Sequence, residues 1–82
     1  MSYFTYILYS SKLNKHYIGH TKNIERRLLE HNSLQSSSTK SGAPWILVFL
    51  REFSTNSESI KFELKIKSMK NRKFIQDLIS NV

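Results

Sequence analysis

The first part of the chain carries the pattern of two short strands. Residues 3–9 (YFTYILY) are β-branched and aromatic, a composition that favours a strand. Residues 13–15 (LNK) predict a turn, and residues 16–19 (HYIG) predict a second strand. Together these segments predict a β-hairpin.

The next segment changes to helical periodicity. Residues 23–32 (NIERRLLEHN) predict a helix, because Asn23 can cap it and Ile24 and Leu28 lie on one face. Residues 33–44 (SLQSSSTKSGAP) predict a polar, mobile loop that ends near a glycine and a proline.

The rest of the chain predicts one strand and two helices. Residues 45–53 (WILVFLREF) are apolar on both faces, which predicts a central strand covered on each side. Residues 55–58 (TNSE) form a capping box that opens a helix at about 57–70. Asn71 can cap a third helix with an apolar stripe. That stripe consists of Phe74, Ile75, Leu78, Ile79 and Val82.

The order of these elements indicates the class of fold. The order β-β-α-β-α-α, in which the first two strands form a hairpin, predicts an α+β fold. We expect a small three-stranded sheet, mixed or antiparallel, flanked by helices. Eighty-two residues are enough for one small domain, 1–82.

Charge narrows the class of partner. Thirteen Lys and Arg residues stand against six Asp and Glu, which gives a net charge of +7. Such an excess favours a polyanion, most often nucleic acid, although a basic surface can also serve solubility alone. One stretch carries five basic residues and no acid. The candidate nucleic-acid-binding residues in it are Lys65, Lys67, Lys70, Arg72 and Lys73.

Composition also bears on compartment and metal chemistry. The chain has no cysteine, which excludes disulfides and thiolate metal sites and fits a reducing cytoplasm. No apolar run is long enough to span a bilayer, and no signal peptide is expected. His16 and His20 are four residues apart, a zinc-binding spacing on a helix, but here they flank a predicted strand. We therefore expect a cytoplasmic protein without zinc.

Two helical faces carry charge where apolar residues are expected to face the sheet. Arg27 and His31 share a face with the apolar residues of the first predicted helix. Glu63 and Lys67 likewise share a face with Ile60 and Leu64 in the second helix. Arg27 could pair with Glu63 across the margin of the core, or Glu63 and Lys67 could form an ordinary surface pair.

Two tyrosines add a third component. Tyr6 lies in the first predicted strand and Tyr17 in the second, where a hairpin can bring them together. Gly19 follows, at a place where a side chain would obstruct the approach of a backbone or a ligand. We therefore predict that two phenols, a guanidinium, an imidazole and a carboxylate converge on one patch.

The spacing of these residues resembles the GIY-YIG nuclease superfamily, in its short stand-alone branch similar to the N-terminal nuclease domain of excinuclease. The resemblance covers roughly residues 3–79. Its segments are the strand around Tyr6, YIGHT (17–21), ERRLLEHN (25–32), APWILVFLREF (43–53) and SIKFELKIKSMKNRK (59–73). This set of five spaced matches is far more specific than the tripeptide YIG alone.

The resemblance implies a three-stranded sheet with flanking helices and a metal-dependent endonuclease. The catalytic residues that it implies are Tyr6, Tyr17, Arg27, His31 and Glu63. Glu63 would bind the metal ion, Mg²⁺ or Mn²⁺. Two positions depart from the family pattern: the first motif reads Phe-Thr-Tyr instead of Gly-Ile-Tyr, and Met69 stands where related sequences commonly carry tryptophan. Neither change removes a chemical group that the reaction needs.

Two other functions remain as alternatives. The same fold could bind nucleic acid without cutting it, or could act as an adaptor for a protein partner. We expect DNA as the substrate, with RNA as an alternative, and no membrane. Because 82 residues offer little base-specific reading, we expect weak sequence specificity or selectivity for structure. A homodimer or a protein partner could supply further selectivity.

Overall fold

The elements follow the predicted order. A computed structural model describes residues 2–33, 39–69 and 71–80. Its strands and helices are β1 (Tyr3–Ser10), β2 (Lys15–Thr21), α1 (Ile24–Asn32), β3 (Ile46–Phe53), α2 (Asn56–Met69) and α3 (Arg72–Ser80), with a short 3₁₀ helix at Lys40–Gly42. This order confirms the α+β fold. Part of the loop predicted at 33–44, residues 34–38, lies outside the described residues.

The three strands form an antiparallel sheet in the order β2-β1-β3. β1 is therefore the central strand, and Ile7 and Leu8 in its middle are fully buried. The prediction that residues 45–53 form the central strand is wrong. β3 lies at an edge, where Ile46 and Leu50 stay 57% and 37% exposed. An apolar run alone does not distinguish a covered strand from an edge strand, and residues 3–9 are just as apolar.

The sheet has a separate apolar cluster on each face, because successive side chains of β1 point in opposite directions. Tyr6, Leu8 and Trp45 form the cluster on the face toward α1. Ile7, Phe49 and Ile66 form the cluster on the face toward α2 and α3. The predicted stripe of α3 packs against this second cluster through Phe74, Ile75, Leu78 and Ile79. Val82 lies outside the described residues.

The helix starts agree with the predicted caps. The side chain of Asn23 accepts a hydrogen bond from the backbone of Arg26 at 3.0 Å. The hydroxyl of Thr55 accepts one from the backbone N–H of Glu58 at 3.2 Å, as a capping box requires. No helix in the described ranges is long and apolar enough to cross a bilayer.

The buried face of α2 differs from the prediction. Ser59, Glu63 and Ile66 are buried, whereas Leu64 is 57% exposed. The reason is a close contact with β1: the hydroxyl of Thr5 donates to the carbonyl oxygen of Ser59 at 2.7 Å. The small serine permits this approach and sets the rotation of the helix. Glu63 stays on the buried side because it lies four residues after Ser59.

Candidate active site

A cleft of about 400 Å³ opens over the free edge of β2, between α1 and α2. Its position follows from strand alternation. Gly19 pairs with Tyr6 in the sheet and faces α1, whereas His20 faces Glu63 on α2. The cleft is lined by Tyr6, Tyr17, Gly19, His20, Thr21, Arg26, Arg27, Glu30 and Glu63. Four of the five residues that the resemblance implies are therefore in its wall, and His31 lies directly behind them.

Tyr6, Tyr17 and His31 form a compact aromatic group at the base of the cleft. The ring centroids of Tyr17 and His31 are 4.9 Å apart, and those of the two tyrosines are 6.3 Å apart. The hydrogen-bond partner that a buried phenol needs is present, because the Tyr6 hydroxyl lies 3.1 Å from Nε2 of His31. The predicted convergence of these three side chains is present in the structure.

Gly19 is required by Tyr6. A Cβ atom at this position would lie 2.5 Å from Oη and 2.7 Å from Cζ of Tyr6. The sequence predicted that Gly19 makes room for a backbone or a ligand at the end of a strand. Instead, Gly19 lies inside β2 and makes room for the ring of Tyr6.

His31 is fully buried and hydrogen-bonded through both nitrogens. Its Nδ1 lies 2.7 Å from the hydroxyl of Thr39. Burial, aided by the charge of Arg27, holds the pKa of His31 below its ordinary value. A neutral imidazole has one donor and one acceptor nitrogen, so Thr39, His31 and Tyr6 form one chain of hydrogen bonds. Its direction at one end determines its direction at the other.

The two tyrosines differ in their environment. Tyr6 is buried, and burial raises its pKa to about 12 despite hydrogen bonding from Arg27. It therefore stays protonated at neutral pH and is suited to hold a hydrogen bond, not to remove a proton. Tyr17 is only half-buried and lines the cleft, so its hydroxyl is the one accessible to a water molecule there.

Arg27 is held by a carboxylate on its own helix. Its Nη1 lies 2.9 Å from Oε1 of Glu30, three residues later. The hydrogen bond from Arg27 to Glu30 raises the pKa of Arg27 further above its already high value, so the guanidinium stays charged. The second oxygen of Glu30 lies 3.8 Å from Nε of Arg26. Glu30 was not among the predicted site residues, although its spacing to both arginines could have indicated it.

Glu63 is 8% exposed and has two partners. Nζ of Lys67 lies 2.5 Å from Oε2, and Nδ1 of His20 is hydrogen-bonded to Oε1. Burial pushes the pKa of Glu63 upward, but the bonds and charges of Lys67 and His20 outweigh it, so the pKa lies below the ordinary value. Glu63 is therefore ionised at neutral pH. The Glu63–Lys67 pair expected as an alternative is present, whereas the Arg27–Glu63 pair is not.

His16 and His20 serve different surroundings. His20 contacts Glu63, and the ring of His16 lies 5.0 Å from that of Tyr9, centroid to centroid. Within the described ranges, no group of three or more His, Cys, Asp or Glu side chains is placed to hold a metal ion. A closed zinc site needs four such ligands.

The chemistry of the cleft fits a magnesium or manganese ion. Mg²⁺ keeps several waters and is usually bound in proteins by one or two carboxylates together with substrate phosphates. Glu63 supplies one ionised carboxylate at the cleft wall. Because Lys67 and His20 occupy both of its oxygens, an ion that coordinates Glu63 takes the place of at least one of them.

The basic stretch after Glu63 does not form one surface. Lys67 lies beside the cleft, and Arg72 hydrogen-bonds to Asn14 at 2.6 Å. Lys65 borders a separate hollow beside Phe53 and Phe62, and Lys73 is exposed on α3. Lys70 lies outside the described residues. The predicted nucleic-acid-binding residues are thus divided among different faces.

The family model of the GIY-YIG catalytic domain matches residues 2–76. The chain is 40% identical over 58 residues to UPF0213 protein SSP2268 of Staphylococcus saprophyticus, covering 70% of this chain and 71% of that protein. It is 36% identical over 67 residues to UPF0213 protein SH2523 of Staphylococcus haemolyticus, covering 80% of each. The solution NMR structure of UPF0213 protein BH0048 from Bacillus halodurans is similar with a TM-score of 0.62 and 27% identity, covering 98% of this chain and 84% of that one. With its fold, its cleft and these relatives, the chain belongs to the GIY-YIG domain family, in the stand-alone branch of the UPF0213 proteins.

Proposed function

We propose that this protein is a metal-dependent endonuclease that hydrolyses a phosphodiester of DNA, with weak sequence specificity or selectivity for structure. The observation that carries the proposal is the pairing of opposite charges in one open cleft. Arg27 is a permanent cation and Glu63 an ionised carboxylate, and both line that cleft beside two tyrosine hydroxyls. The family is one of nucleases, which agrees with this chemistry.

Each side chain has a role that its surroundings support. Arg27 would donate to the non-bridging oxygens of the scissile phosphate, because its planar guanidinium matches two oxygens at once. Tyr17 would hold the attacking water and accept its proton. Tyr6 would donate a hydrogen bond, because its raised pKa keeps it protonated. His31 would fix the direction of that hydrogen bond from behind.

Glu63 would hold the metal ion. A bound Mg²⁺ or Mn²⁺ would supply charge stabilisation at the phosphate and lower the pKa of a bound water. Glu63 is suited to this role because its lowered pKa keeps it ionised well into the acid range. Glu30, by contrast, is occupied with Arg27 and Arg26.

The alternative is a module that binds nucleic acid without cutting it. The net charge of +7 serves both functions equally well. A buried, ionised carboxylate in the wall of the cleft does not serve simple binding, because it repels the phosphates that a binder attracts. Glu63 therefore favours catalysis.

A nicking assay tests the proposal. Supercoiled plasmid, branched DNA and a matched single-stranded RNA are incubated with the purified protein, with Mg²⁺ or Mn²⁺ and with chelator. We expect metal-dependent cleavage of DNA, with the branched substrate cut at least as fast as the plasmid. Binding to all substrates without cleavage under any metal condition would favour the binding module.

A further inference from the structure

A second pocket lies at the other end of β2, on the face of the sheet toward α2 and α3. It measures about 320 Å³. Its polar rim consists of Asn14, Lys15, His16, Lys67, Asn71 and Arg72, and no Asp or Glu is among its described lining residues. Ile18, Ile66 and Ile75 form its floor. Three basic side chains therefore surround a recess large enough for a phosphate group.

The arginine of this pocket is oriented by a neutral group. Nη2 of Arg72 donates to Oδ1 of Asn14 at 2.6 Å, and the same oxygen accepts from the Tyr9 hydroxyl at 2.8 Å. Asn14 lies in the turn between β1 and β2, with a φ of 52°. An amide holds the guanidinium in place without neutralising it. Arg72 thus keeps its full charge for an anion.

His16 contributes a hydrogen bond and not a charge. Burial and the nearby Arg72 hold the pKa of His16 below its ordinary value. Its neutral ring lies beside Tyr9 at the rim and can donate one N–H to a phosphate oxygen.

The pocket is continuous with the catalytic cleft. Lys67 lines the pocket, while its Nζ contacts Glu63 in the cleft wall. His16 and His20 lie on the same face of β2, four residues apart, which is about 13 Å along a strand. That distance equals about four nucleotide steps along a duplex strand. One nucleic-acid strand can therefore reach both sites.

We propose that the pocket formed by Lys15, His16, Lys67 and Arg72 binds an internal backbone phosphate of the nucleic acid, about four nucleotides from the scissile phosphate. The identity of the ligand rests on the proposed nuclease function. The pocket separates the basic stretch into two groups: Lys67 and Arg72 bind phosphate, whereas Lys65 and Lys73 point elsewhere. Lys15 and His16, from the hairpin, complete the site.

The first test compares binding to a short and a long duplex in the presence of chelator, so that no cleavage occurs. The short duplex covers the cleft alone, and the long one extends past the pocket. The variant Lys15→Gln/Arg72→Gln should bind the long duplex more weakly, and the slope of log affinity against log salt should fall by about one for each lost phosphate contact. Its affinity for the short duplex should stay close to that of the wild type.

The matched control is Lys40→Gln/Lys61→Gln, which removes the same charge from two exposed lysines outside both sites. Equal losses in the two double variants, or a loss on the short duplex as large as on the long one, would overturn the proposal, because net charge alone would explain them.

A second readout does not depend on cleavage. Inorganic phosphate is titrated into the isotope-labelled protein, and amide resonances of Lys15, His16 and Arg72 are followed by NMR. Saturable shifts that disappear in Lys15→Gln/Arg72→Gln support the pocket, even if the protein proves to cut nothing. No shift at these residues overturns it, even if the protein cuts DNA. Failure of the pocket and failure of the nuclease function are thus separable.

Discussion

Arg27 and Glu63 line the same cleft, but each is neutralised by a different side chain. Arg27 pairs with Glu30 at 2.9 Å on α1, and Glu63 pairs with Lys67 at 2.5 Å on α2. Neither residue leaves the other as an unpaired buried charge when it is removed. Stability and catalysis can therefore be measured separately at both positions.

Replacing Arg27 should slow cleavage without unfolding the protein. In Arg27→Ala, Glu30 keeps Arg26 as a neighbour and is itself partly exposed, so the melting temperature should change little. The rate should fall by the equivalent of about 2.7–4 kcal/mol, as for other preorganised donors. Arg27→Lys should recover little activity, because lysine lacks the planar fork. A large loss of melting temperature with an unchanged rate per folded molecule would contradict the catalytic role.

Replacing Glu63 should abolish cleavage. Glu63→Gln keeps the shape of the side chain and can still accept a hydrogen bond from Lys67, but it no longer offers a charged ligand to a metal ion. We expect a folded protein with nearly unchanged DNA affinity and no metal-stimulated cleavage. Glu25→Gln, which removes one exposed carboxylate outside the cleft, is the control. Full activity of Glu63→Gln in Mg²⁺ would rule out metal binding through this carboxylate.

Adding a methyl group at Gly19 should displace Tyr6. The new Cβ atom would lie 2.5 Å from Oη of Tyr6, and such overpacking costs about 1–3 kcal/mol. Gly42→Ala is a control of the same kind, because its Cβ atom would lie 2.5 Å from the ring of Trp45, outside the cleft. Both variants should melt at lower temperature, but only Gly19→Ala should also lower the rate per folded molecule. Equal rates in the two variants would remove Tyr6 from the mechanism.

His31 should make folding stability depend on pH in a defined window. Its pKa is lowered in the folded protein, whereas in the unfolded chain it stays near 6.5. The unfolded chain therefore takes up a proton first, so stability is complete above pH 6.5 and is lost as the pH falls toward the folded pKa. His31→Gln should flatten this part of the curve. His16, whose pKa is also lowered, contributes with the same sign, and His16→Gln measures its share. A curve unchanged by His31→Gln would contradict the assignment.

Local signals in the sequence determined the elements and most of the cleft. Asn23 and the pair Thr55 and Glu58 mark helix starts because each cap is satisfied within one turn of chain. Arg27 and His31 were predicted to turn inward because they share the helical face of Ile24 and Leu28, and that short-range periodicity persists in the structure. The place of Tyr6 and Tyr17 in a hairpin was sufficient to bring their rings together.

Long-range packing decided the rest. β3 is an edge strand because β1 pairs on both of its sides, and an apolar run is the same in either position. α2 buries Ser59 and leaves Leu64 exposed because Thr5, 54 residues before Ser59, bonds to its carbonyl. The partners that orient the site, such as Thr39 for His31, come from loops whose sequence carries no periodic signal. Sequence periodicity reports which face of an element is apolar, whereas only the packed chain determines which polar groups meet there.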